Sequence, residues 1–159
     1  MTSLTQQDID VLNEALNDEY FAWTTYGQVI ADFGELRPFV NIREAEGHHI
    51  EALTNLYNQY GVAVPENTWV SKAPRYESIL EATEAAVKSE TDNAEMYARL
   101  LKSTQNADII RVLENLQDAS QSRHLPAFKR FSRIESERQE MAMATESGCC
   151  GGCGGTGHD

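Results

Sequence analysis

"EAEGHHIEAL", residues 44–53, lies in a helix-favouring stretch that runs from Pro38 to Tyr60. Stepping through it alternately by three and four selects Phe39, Ile42, Glu46, His49, Leu53, Leu56 and Tyr60, the repeat of a stripe that faces a core. Two of these residues, Glu46 and His49, are ionisable and one turn apart on the face meant for the interior. Whatever lies opposite them decides both the fold and its chemistry.

Proline and glycine punctuation leaves three further helical segments, at 6–33, 76–104 and 107–135, beside the one at 38–60. The best strand candidate, "GVAVPENTWV" at 61–70, has a proline and a polar centre and reads as a loop. The first segment carries the stripe Ile9, Leu12, Leu16, Glu19, Trp23, Tyr26, Ile30 and Phe33. The third carries Thr83, Val87, Glu90, Ala94, Tyr97 and Leu101. The fourth carries Ile110, Leu113, Gln117, then Ser120 or Gln121, then His124 and Phe128. Each stripe is broken by polar residues near its middle. Helices of similar length overlap at their midpoints, so Glu19, Glu46, His49, Glu90 and His124 are expected at one level inside a bundle.

Connection lengths give the expected topology. The short turns "GELRP" and "TQNAD" make the first and second helices, and the third and fourth, antiparallel neighbours. The link between the second and third, about fifteen residues, spans up to about 50 Å when extended, enough to return along the bundle. The second and third helices are then parallel, the arrangement of a ferritin-like four-helix bundle with one long crossover.

The 159-residue chain fits one domain, read as a bundle over 1–140 followed by a flexible Gly/Cys-rich tail over 141–159. A formal net charge of -12 argues against nucleic acid or an anionic membrane as partner. No apolar run approaches a membrane span, and "MTSLTQQDID" lacks the basic start and apolar stretch of a signal peptide, so the expected location is cytoplasmic.

Several ionised carboxylates in an apolar interior cost many kcal/mol unless a cation answers them. No Lys or Arg lies on the four stripes, which leaves metal ions as the counter-charge. Carboxylates with imidazoles suit iron, manganese or zinc, and two ions would fit.

One Glu on the first helix, Glu-x-x-His on the second, one Glu on the third and a His on the fourth together resemble the di-iron carboxylate site of the ferritin-like superfamily, which includes rubrerythrins and ferritins. Locally, "FGELRPFVNIREAEGHHIEALTNLYNQYGVAVPENTW" resembles small prokaryotic ferritin-like domain proteins. The resemblance spans residues about 6 to 132. It implies two irons held by Glu19, Glu46, His49, Glu90 and His124, reacting with dioxygen or peroxide or oxidising Fe(II). An enzyme of this kind would draw on an external electron donor, and a homodimer is compatible with the pattern. The superfamily has Glu-x-x-His on the last helix, whereas "QSRH" puts Gln121 where the second Glu belongs, a weak ligand through its amide oxygen. Metal storage or delivery without turnover, and an interaction bundle with a degenerate site, are the competing readings.

The tail "GCCGGCGGTGHD" holds six of the ten glycines and all three cysteines. Cys149, Cys150, Cys153 and His158 form a second candidate set, suited to a soft or borderline ion such as Cu(I) or Zn(II).

Overall fold

A computed structural model describes residues 3–147. The described chain is an all-α bundle of four helical rods: α1 (Gln6–Phe33), α2 (Phe39–Tyr60), α3 (Ile79–Leu100), and a last rod made of α4 (Ala107–Ala119), a π-helical turn (Ser120–His124) and α5 (Leu125–Ser147). Side chains set the helix ends. Thr5 and Asp8 form a reciprocal capping box at the start of α1, at 3.1 and 3.0 Å. Ser78 accepts from Glu81 N, and Asn106 accepts from Asp108 N and Ile109 N, so α3 and α4 begin with their first donors satisfied. Gly61 ends α2 in the left-handed region, at φ 66°, where a side chain would be strained.

The third helix begins at Ile79, not 76, because Ser78 caps it. The last rod continues to Ser147, beyond the expected helix end at 135. No helix among the described residues is long and apolar enough to cross a membrane.

Two apolar clusters flank a polar waist. One gathers Leu12 and Leu16 of α1, Leu53 and Tyr57 of α2, Tyr97 and Leu100 of α3 and Leu113 of α4. The other gathers Tyr26 and Val29 of α1, Phe39 and Ile42 of α2, Ala82 and Ala86 of α3 and Phe128 of α5. α2 and α3 both start in the second cluster and end in the first, so they run the same way, opposite to α1. The link between them lies along α1: Tyr20 donates to Pro65 O at 3.2 Å, Trp69 Nε1 to Asn17 Oδ1 at 3.0 Å, and Arg75 pairs with Asp32.

Aromatic packing fixes the waist. The Tyr26, Phe39 and Phe128 rings meet at 5.0 to 5.7 Å, and Phe39 and Phe128 are fully buried. Truncating either Phe costs about 3–5 kcal/mol, and would loosen the ring that carries the Tyr26 hydroxyl.

Candidate metal centre

Between the two clusters the four rods contribute Glu19, Glu46, His49, Glu90 and His124. The three carboxylates and His124 are each no more than 4% exposed, and the His49 side chain is 13% exposed. Their donor atoms form two groups, Glu19 with Glu46 and His49, and Glu46 with Glu90 and His124, with the atoms of each group within 4.8 Å of one another. Glu46 belongs to both. Its Oε2 lies 2.7 Å from His49 Nδ1 and its Oε1 lies 3.1 Å from His124 Nδ1. Glu19 Oε2 lies 3.2 Å from His49 Nδ1, and Glu90 Oε1 lies 3.6 Å from His124 Nδ1. The imidazoles stack side by side, centroids 5.5 Å apart and 21° from parallel, with both Nδ1 atoms turned to the carboxylates.

A ring of hydroxyls holds the outer carboxylates. Tyr97 donates to Glu19 Oε1, Tyr26 to Glu90 Oε1 at 2.9 Å, and Ser120 to Glu90 Oε2. Burial, reinforced by the nearby carboxylates, pushes both phenols well above the usual tyrosine range, so each stays a donor. Beside this ring Asn93 donates to Asp18 at 2.6 Å, and burial, against that hydrogen bond, pushes Asp18 up to about 6.

The metal-free charges are arranged around the imidazoles. Burial works against protonating either ring, yet Glu19 and Glu46 beside His49 raise it to about 10, and Glu46 and Glu90 beside His124 raise it to about 9. Burial likewise pushes Glu46 up, but the two rings prevail and hold it well below the ordinary carboxylate range. Burial and the facing Glu46 push Glu19 well above that range.

One atom is unbalanced. His124 Nδ1 is sealed from solvent and makes no hydrogen bond, although Glu46 Oε1 at 3.1 Å and Glu90 Oε1 at 3.6 Å pair with it by charge. It points into the space that two carboxylates also face. A cation there would meet one nitrogen and two anionic oxygens. The donor set therefore fits iron, manganese or zinc in each group.

Gln121 does not belong to the set. It is exposed, and Ser120 occupies the inward position instead. An α-helix would bring residues 121 and 124 onto one face, but the chain widens to a π-turn in which Leu125 N–H bonds Ser120 O, five residues back. The wider turn rotates Gln121 outward and aligns Ser120 with His124. Pro126, two residues past His124, explains the widening: it has no N–H, and its ring would crowd the Ser122 carbonyl in a regular helix. That proline was the sequence signal for the shift. Tyr26 and Tyr97 sat on the stripes, yet their spacing equally fits plain core packing, so only their partners reveal the role.

The residues off the stripes stay outside. Glu44, His48 and Glu51 are exposed, as are Asp92, paired with Lys88, and Glu95. Trp23 is half-buried under the Arg43 guanidinium, 4.0 Å from the ring centroid. Cys149, Cys150, Cys153 and His158 lie outside the described residues.

The chain matches no protein-family model and no curated protein. It is similar in structure to a hypothetical protein from Methanococcus jannaschii DSM 2661, at 21% identity and a TM-score of 0.76, over 86% of this chain and 85% of that one. It is also similar to a conserved hypothetical protein from Mycobacterium tuberculosis, at 20% identity and a TM-score of 0.67, over 83% of this chain and 99% of that one. These likenesses establish a shared helical fold.

Proposed function

We propose that the chain is a ferritin-like protein whose waist binds two metal ions, iron in both positions, and that the reduced centre reacts with dioxygen or peroxide. The observation that carries this reading is the pair of overlapping ligand groups joined by Glu46, with His124 Nδ1 between two carboxylates and without a hydrogen bond. The parallel run of α2 and α3, joined by a link laid along α1, supports the ferritin-like crossover.

Two bound ferrous ions would supply the two electrons that reduce a peroxide, and an external donor would restore them. The protein's own part is positional. Tyr97 and Tyr26 hold Glu19 and Glu90 in place, Ser120 holds the second oxygen of Glu90, and His49 and His124 give up protons as metal enters.

One observation favours a second reading, metal binding without turnover. Gln121, the position of the superfamily's fourth carboxylate, is exposed, and Ser120 meets Glu90 instead, so three carboxylates would face the four positive charges of two divalent ions. Anaerobic Fe(II) titration followed by peroxide separates the readings. Two equivalents bound and then oxidised by stoichiometric peroxide is the expected result. Stable binding without oxidation would favour the second reading, and no uptake of iron, manganese or zinc would sink both.

A further inference from the structure

His49 and His124 turn Nδ1 to the carboxylates, so the far nitrogen of each ring, Nε2, faces away from them. A histidine that ligates a metal almost always donates its second N–H to a carboxylate, a carbonyl or water. Neither Nε2 makes a hydrogen bond among the described residues, and neither is sealed from solvent as His124 Nδ1 is. Both rings line a cleft of about 480 Å³ between α2 and α4. Its lining departs from the make-up of the chain. The sequence carries 25 acidic residues against 13 Lys and Arg, yet no Asp or Glu lines this cleft, while Arg123 and three of the four histidines, His48, His49 and His124, do. Arg75, Arg99 and Arg111 each pair with a carboxylate, whereas Arg123 pairs with no described residue. Ile42, Ala45, Ala52 and Leu116 supply an apolar wall.

We propose that this cleft binds a small organic carboxylate of a few carbons, its oxygens accepting from Nε2 of His49 and His124 and pairing with Arg123, its carbons lying on the apolar wall. The carboxylates around each Nδ1, or a metal in their place, leave the ring a hydrogen on Nε2. The rings stand 5.5 Å apart and 21° from parallel, so the two N–H groups lie side by side. A carboxylate offers two oxygens and about four lone-pair sites, enough to accept from both. A metal cation fits poorly here, since both candidate ligand groups lie behind the rings and Arg123 repels it. An outer carboxylate of this kind fixes ring orientation and raises the basicity of the ligand nitrogen. The occupant of the cleft therefore tunes the metal affinity of the centre behind it.

The test titrates metal-free protein, isotope-labelled at the histidine ring nitrogens, with sodium butyrate at constant ionic strength in chloride. A saturable shift of the His49 and His124 Nε2 signals is expected. Butanol, which has the carbons without the charge, should give none, and inorganic phosphate should bind severalfold more weakly. Arg123→Gln should weaken butyrate at least tenfold, and Ala52→Leu should abolish its binding. Arg130→Gln, which removes the same charge from the cleft between α2 and α5, should leave it unchanged. Arg123 is exposed, so Arg123→Gln keeps the test decisive if Ala52→Leu fails to fold. No saturable shift, an equal response to butanol or phosphate, or equal losses in Arg123→Gln and Arg130→Gln would overturn the proposal. In a second arm, saturating butyrate should tighten Mn(II) severalfold, and Mn(II) should tighten butyrate by the same factor; an unchanged Mn(II) affinity would overturn the link to the centre. Only this arm rests on the metal-binding reading above. Should the protein take up no metal, that reading fails, while the histidine signals still decide for or against the cleft.

Discussion

Glu46→Gln probes the centre most directly, because Glu46 alone belongs to both ligand groups and the replacement keeps the side chain's shape. In metal-free protein the change removes the anion that sits 2.7 Å from His49 and 3.1 Å from His124. Removing one partner of a buried ion pair costs about 3–5 kcal/mol. The lower end applies here, since Glu19 and Glu90 still face the rings. For a domain of this size, about 3 kcal/mol lowers the melting temperature by roughly 6–12 °C. The sign with pH follows from the two imidazoles. Both are raised in the folded state, so the stability they confer is complete below the unfolded value near 6.5 and fades as pH rises through about 9 and about 10. The destabilisation should therefore be largest near pH 6 and small above pH 10. In calorimetric titration with Mn(II), each equivalent loses an anionic ligand, and both should weaken at least tenfold, which is about 1.4 kcal/mol. Glu19→Gln should weaken one equivalent and Glu90→Gln the other. If Glu46→Gln spares one equivalent entirely, Glu46 does not bridge, and the two-group reading is refuted.

Metal affinity should rise steeply between pH 6.5 and 9, because His49 and His124 must each release a proton on binding, and buffers of different ionisation heat will report the protons released. A flat profile would show that neither ring ligates. Gln121→Glu should leave both metal affinities unchanged, since the side chain is exposed, whereas Ser120→Ala should weaken the equivalent held by Glu90 about 10–100-fold by freeing that carboxylate. The opposite ranking in a metal titration would mean that the π-turn is absent. Deleting residues 148–159 should leave melting temperature and bundle metal content unchanged, because both apolar clusters and all five centre residues precede Ser147; a fall of several degrees would contradict this.

The stripes of three- and four-residue spacing, read with the lengths of the turns, were enough to predict four rods and an acidic waist, because helix periodicity places residues on a face without reference to the rest of the fold. Glu46 and His49 were legible for that reason, as one turn of a regular helix separates them. The last rod was not legible in the same way. Its periodicity changes at the π-turn, where Pro126 denies a hydrogen bond and Ser120 replaces Gln121 on the inner face. Propensity cannot weigh that choice, because its energy depends on the packing of Phe128 below the turn and on Glu90 across from it. Tertiary structure alone also decided which nitrogen of His124 faces the carboxylates and which carboxylate belongs to both ligand groups. Each depends on atoms brought together from helices distant in sequence, and the pattern along any single helix carries no record of its neighbours' rotamers.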